Sequence, residues 1–171
     1  MSKEAGITQE DPVVASTIRV IKSDTCPSLS GRSTLTYQIG ASPESAISIR
    51  LFANSGGGFF NRDLIEFQTL QEVLKKRTGA NPVTSSAFGE LFPGKSVNTT
   101  GFLLAVLKHM ALVKPLPDRP RCYEFVDSGP WLAEMEALIA SLATETTDAS
   151  TASKPAPPVR KGGTKVKAIY K

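Results

Sequence analysis

Histidine occurs once and tryptophan once among these 171 residues, cysteine occurs twice, and no run of about 18 consecutive apolar residues exists. His109, Cys26 and Cys122 are too few to build a zinc site from the usual Cys/His ligands, and neither cysteine belongs to a CxxC pair. Two reduced thiols, buried rather than reactive, are expected, with no metal and no cofactor. The lack of a long apolar run, together with a polar first dozen residues, leads us to expect a soluble, cytoplasmic chain with no membrane partner. Catalytic patterns are missing as well. His109 has no Ser or Cys partner in a recognisable motif, Cys26-Pro27 has no basic activator nearby in sequence, and the pairs Asp63/Glu66 and Glu134/Glu136 come without a nucleophile or a metal-ligand pattern. No catalytic residue is assigned, and a non-enzyme is expected, with a nucleic-acid-processing enzyme as the third-ranked reading. Two glycine-containing stretches, Ser30–Thr34 and Asn54–Asn61, match neither GxGxxG nor a GK[ST] ending, so both are read as ordinary loops ahead of phosphate cradles.

Acidic residues are missing from one segment entirely. Residues 149–171 hold Lys154, Arg160, Lys161, Lys165, Lys167 and Lys171 and no Asp or Glu, whereas residues 1–148 hold 14 basic against 16 acidic residues. The formal net charge of +4 therefore belongs to the tail. The remainder is slightly acidic, and a polyanion site on it has to be a local cluster. Pro and Gly with few apolar residues make residues 146–171 a disordered basic tail, whose Arg160, Lys161, Lys165 and Lys167 would attract phosphates without regard to sequence. Residues 1–15 are read as a disordered arm on the same grounds.

Between these ends the apolar periodicity changes along the chain. Residues 17–22, 33–39 and 46–52 alternate with a period of two, and turn-forming residues separate them, which predicts an antiparallel meander within residues 16–62. Phe59 and Phe60 are expected to anchor the core. From Thr69 the period becomes helical. Thr69 and Glu72 have capping-box spacing for a first helix ending at Thr78-Gly79, and Phe88, Leu91 and Phe92 mark a second that Pro93-Gly94 terminates. Ser96 or Asn98 caps a third, in which Phe102, Leu103, Val106, Leu107 and Met110 recur at intervals of three and four. Two extended runs, 112–116 and 121–126, then flank the turn Pro117-Asp118-Arg119-Pro120. Finally Trp131, Leu132, Met135, Leu138, Ile139 and Leu142 form an amphipathic stripe over residues 127–145, which either folds back on its own domain or pairs with a second copy.

A long apolar helix running straight into a hairpin with a basic tip resembles the recognition helix and wing of winged helix-turn-helix domains, over roughly residues 66–126. That resemblance implies a third helix entering the major groove and a hairpin tip reaching phosphates or the minor groove. Carried onto this chain, it assigns base contact to Asn98 and Thr99 and backbone contact to Lys95, Lys114, Arg119 and Arg121. The stretches Cys26–Tyr37 and Asn54–Phe60 also resemble small proteins of bacterial plasmids and integrated elements, which implies an accessory or regulatory role on mobile DNA. The expected architecture is α+β: a small meander fused to a winged-helix-like unit at 63–126, then an amphipathic helix and the basic tail. The expected function is duplex DNA binding by a transcriptional or mobile-element regulator, with Trp131, Met135, Leu138 and Leu142 serving either as core or as the seam of a homodimer. The alternative is a protein-interaction module that uses the sheet and the winged unit.

Overall fold

The computed structural model describes residues 18–77, 79–94 and 96–148. The fold is α+β, and the meander is present with one strand added. Strands β1 (Arg19–Pro27), β2 (Thr34–Ala41), β3 (Ile47–Asn54) and the two-residue β4 (Ile65–Glu66) form an antiparallel sheet in that order. Alternation decides which face is covered. Leu35, Tyr37 and Ile39 of β2 and Ile47, Ile49 and Leu51 of β3 are buried, while Gln38 and Arg50 between them are half-exposed. Bulges between Val20 and Lys22 and between Thr36 and Tyr37 interrupt the register.

Helix α1 (Phe67–Lys75) starts two residues before the predicted cap, and no side chain caps it. Phe67 is the reason. Its ring is buried against Trp131, with centroids 4.5 Å apart, and this contact draws the first turn upstream of the exposed Thr69. The second helix is a 3-10 helix, Ser85–Leu91, followed by the turn at Gly94, where φ is 67°. Helix α2 (Asn98–His109) follows. Neither proposed cap holds its place: the N-cap is Val97, which makes no side-chain cap bond, although the Ser96 hydroxyl accepts the Asn98 N–H at 3.3 Å. Strands β5 (Val113–Pro115) and β6 (Tyr123–Phe125) pair antiparallel. An antiparallel bridge, with N–H to carbonyl distances of 2.8 Å both ways, adds Val83 to the Tyr123 edge. Helix α3 (Gly129–Asp148) closes the described chain.

Trp131 and Met135 of α3 are buried in the common core, with Leu132 and Ile139 packed against it, so this helix folds back on its own domain. Gln71 donates to the buried Ser128 hydroxyl at 2.7 Å and joins α1 to the start of α3. Near the other end the Arg19 guanidinium donates to the Leu142 carbonyl at 3.2 Å, and Lys22 pairs with Glu134 at 3.3 Å. Leu138 and Leu142 are half-buried and line grooves beside β1. The sheet and the helices and hairpin of residues 67–125 are not separate bodies, because one buried cluster runs from Cys26 and Leu35 through α2 to Tyr123 and Met135. Among the described residues, no helix is long and apolar enough to cross a membrane.

Candidate nucleic-acid interface

Helix α2 is where the recognition-helix expectation meets the structure. Leu103, Leu104, Ala105, Val106 and Leu107 are consecutive and all buried. At 3.6 residues per turn, five consecutive residues sweep more than a full turn, so along this length the helix has no free face. It touches β1, β2 and β3 as well as the 3-10 helix and β5. Residues 103–107 are therefore closed to a major groove, and only the first turn of α2 is left for the base contact expected of it. Thr99, in that turn, is a correction to the expected contact: the residue is fully buried, and its hydroxyl accepts the Asn61 N–H at 2.9 Å. Asn98 remains exposed at the first turn, where its amide donates to the Phe59 carbonyl at 3.4 Å.

The hairpin fares differently. Its tip closes through Leu116 N–H to Cys122 O at 2.9 Å and Cys122 N–H to Arg119 O at 3.2 Å, with Arg121 in the left-handed region at φ 61°. Arg119 donates from Nη1 to the Gly79 carbonyl at 3.0 Å. That bond sets the tip beside the loop leaving α1, just after Lys75, Lys76 and Arg77, the one run of three consecutive cations in the sequence. Sequence reasoning passed over this triplet, although the run itself was the signal. Lys114 does not join the group as an uncompensated charge, because its ammonium lies 2.6 Å from Glu124 on the paired strand. Lys95 and the tail residues Arg160, Lys161, Lys165 and Lys167 lie outside the described residues.

Partners separate the cations into two classes. Lys22 and Lys114 are matched by carboxylates. Lys75 instead donates to the Gln71 amide oxygen at 3.0 Å, Arg77 to that of Asn81 at 3.2 Å, and Arg119 to a backbone carbonyl. Neutral acceptors fix these side chains without cancelling their charge. Lys75, Lys76, Arg77, Arg119 and Arg121 thus face Glu72 and Asp118 as the only acids within residues 71–77 and 117–121. In sequence these segments are a local excess of positive charge on an otherwise slightly acidic body.

The remaining candidate chemistry is self-contained. In the loop after β1, the Ser28 hydroxyl accepts the Ser33 N–H at 3.3 Å and shares a hydrogen bond with Ser30, and in the triple-glycine loop Asn54 accepts the Gly56 N–H at 3.1 Å and donates to the Gly57 carbonyl. Internal partners occupy these groups in both loops. His109 lies 3.7 Å from Asp24, with its ring edge-on to Tyr37 at 6.0 Å. Asp24 is held below the ordinary carboxylate range, chiefly by the N–H of Thr25. Nearby Cys26 is buried, and burial pushes its thiol up to about 11, so it stays protonated at neutral pH and offers no thiolate nucleophile. Cys122 is a half-buried free thiol. Among the described residues, no group of three His, Cys, Asp or Glu side chains is placed to hold a metal ion. Phe59 overturns the core-anchor expectation with a ring 90% exposed, whereas Phe60 packs edge-on to Phe102 at 6.1 Å. No protein-family model, curated protein or solved structure matches this chain.

Proposed function

We propose that this chain is a non-enzymatic nucleic-acid-binding protein of the winged-helix type that holds duplex DNA by its phosphates, through the wing tip and the end of α1. The observation that carries this reading is the Arg119 to Gly79 hydrogen bond, which brings the wing tip against the loop that follows Lys75, Lys76 and Arg77 in sequence. The order of elements supports the winged-helix assignment: α1, the Val83 edge, the 3-10 helix, α2, then β5, wing and β6, with Val83 bridged to β6. Since residues 103–107 of α2 are enclosed, contact by the wing tip and the end of α1 is with phosphates and so largely independent of sequence. A regulatory role would then come through occupancy of DNA, with the basic tail adding capture from a distance.

The test is binding of a random-sequence duplex by the full chain and by the Lys75→Ala/Lys76→Ala/Arg77→Ala variant. Weaker, less salt-sensitive binding by the variant is expected. Equal binding by the two would remove the surface from the function and leave the tail as the only phosphate contact.

A further inference from the structure

Two carboxylates that form no ion pair among the described residues, Glu66 and Glu136, meet at one groove. It lies between the turn joining β2 to β3, the start of α1 and the helix α3, and has a volume of about 380 Å³. Ile47 and Phe67 are buried in its lining and Leu132 is half-buried, whereas both glutamates are exposed, so an apolar floor sits under an acidic rim. Glu124 and Glu134, by contrast, are matched by Lys114 and Lys22. The Gln71 amide oxygen in the lining holds the ammonium of Lys75 at 3.0 Å, and Glu44, one residue before the lining Ser45, offsets that charge. The cavities beside β1 carry cations instead: Arg19 lines one, Lys22 shares another with Glu134, and Lys108 and His109 line a third.

The charge of the groove calls for a basic occupant, and its floor calls for apolar side chains on one side of that occupant. This chain holds such a sequence. Residues 165–171, outside the described residues, read Lys-Val-Lys-Ala-Ile-Tyr-Lys. With the period of two of an extended segment, Val166, Ala168 and Tyr170 fall on one side, and Lys165, Lys167 and Lys171 fall on the other with Ile169. The tether is long enough. Residues 149–164 can extend over ~50 Å, while α3 rises only ~18 Å from Glu136 to Asp148, its last residue. A segment tethered within reach is presented at a local concentration on the order of mM, so weak contacts suffice to hold it. We propose that this groove docks the chain's own residues 165–171, with Val166, Ala168 and Tyr170 toward the floor and the lysine side chains reaching Glu66 and Glu136. Docked there, the lysines are matched by protein carboxylates, and phosphates have to compete for them. That consequence rests on the nucleic-acid reading above; the docking does not, and it is measured without nucleic acid.

The test is nuclear magnetic resonance on the isotope-labelled full chain, with a synthetic peptide of residues 165–171 as the free reference. Glu66→Gln/Glu136→Gln preserves the shape of two exposed side chains and should move the amide shifts of residues 165–171 to those of the peptide, as should high salt. Lys165→Gln/Lys167→Gln/Lys171→Gln, which alters no residue of the described fold, should in turn shift the amides of Glu66, Gln68 and Glu136. Wild-type amides of residues 165–171 that already match the free peptide overturn the proposal. So do shifts that respond to salt but not to the glutamate pair, which would assign the attraction to the body as a whole. Shifts that vary with protein concentration place the segment on a second copy and overturn docking within the chain. A failure of duplex binding leaves every one of these readouts in place, so the two readings fall separately.

Discussion

Replacing Lys75, Lys76 and Arg77 together by alanine removes three cations that form no ion pair among the described residues, and counterion release gives the size of the effect. Each neutralised phosphate contributes ~0.9 to the slope of log K against log salt concentration on duplex DNA. If all five cations of the surface engage phosphates, the surface contributes ~4.5 to that slope and the triple substitution lowers it by ~2.7. Raising the salt from ~50 to ~200 mM would then weaken binding through the intact surface by ~500-fold, but through its remnant by only ~10-fold. The tail contributes equally to both proteins and drops out of the difference. The assay is fluorescence anisotropy with a labelled random-sequence duplex over that salt range. Lys22→Ala serves as the control. Its ammonium is already matched by Glu134 at 3.3 Å, so the slope should not change. A triple variant whose slope falls by less than ~1 would refute the reasoning, because the cations would then not be meeting phosphates.

Three further outcomes test the fold beneath that surface. Leu104→Ala, in the enclosed part of α2, should cost ~2–5 kcal/mol and lower the sheet and the hairpin together in a single denaturation transition by circular dichroism and tyrosine fluorescence; two separate transitions would contradict the shared core. Thr99→Ala should cost on the order of 1–3 kcal/mol by leaving the Asn61 N–H without its acceptor, while leaving duplex affinity unaltered in the anisotropy assay; a selective loss of affinity would return Thr99 to the interface. Cys26 should resist alkylation in the native state at pH 8. Because its folded value is raised from 9.0 to about 11, its contribution to stability is fully present below 9 and is lost as pH rises through about 11, which denaturant titrations between those values will register. Rapid native labelling of Cys26 at pH 8 would show the thiol to be accessible.

Part of this architecture could be read directly from residue order. Period-two alternation in residues 17–22, 33–39 and 46–52 is a local property, since a strand with one covered face needs apolar residues at every second position, and all three strands are present. Turn residues between them specified an antiparallel meander for the same local reason. The caps were less legible. Thr69 and Glu72 have the spacing of a capping box, yet the long-range contact between Phe67 and Trp131 sets where α1 begins. A signal for the burial of α2 was also present in the sequence. Leu103 to Leu107 is an unbroken apolar run, and Leu104 and Ala105 fill the faces that a one-sided reading of Phe102, Leu103, Val106, Leu107 and Met110 left for solvent or DNA.

The site was the least legible part, because charge type is written in the sequence and charge compensation is not. Lys114 and Arg119 look alike as hairpin cations. Only the cross-strand register sets Glu124 against Lys114, and only the tertiary approach of the tip sets Arg119 against Gly79, in the loop that follows α1. Phe59 poses the same problem in reverse. Hydrophobicity assigns it to the core, but positive φ at Gly57 and Gly58 and the ties through Asn61 and Asn98 point it outward. By itself the sequence determined the α+β class, the order of the elements and the concentration of positive charge in residues 149–171, since these depend on local periodicity and composition. Which helix is enclosed, which cations keep their charge unmatched and which aromatic ring faces water were decided by the tertiary structure, because each depends on what the folded chain brings within a few ångströms across a long separation in sequence.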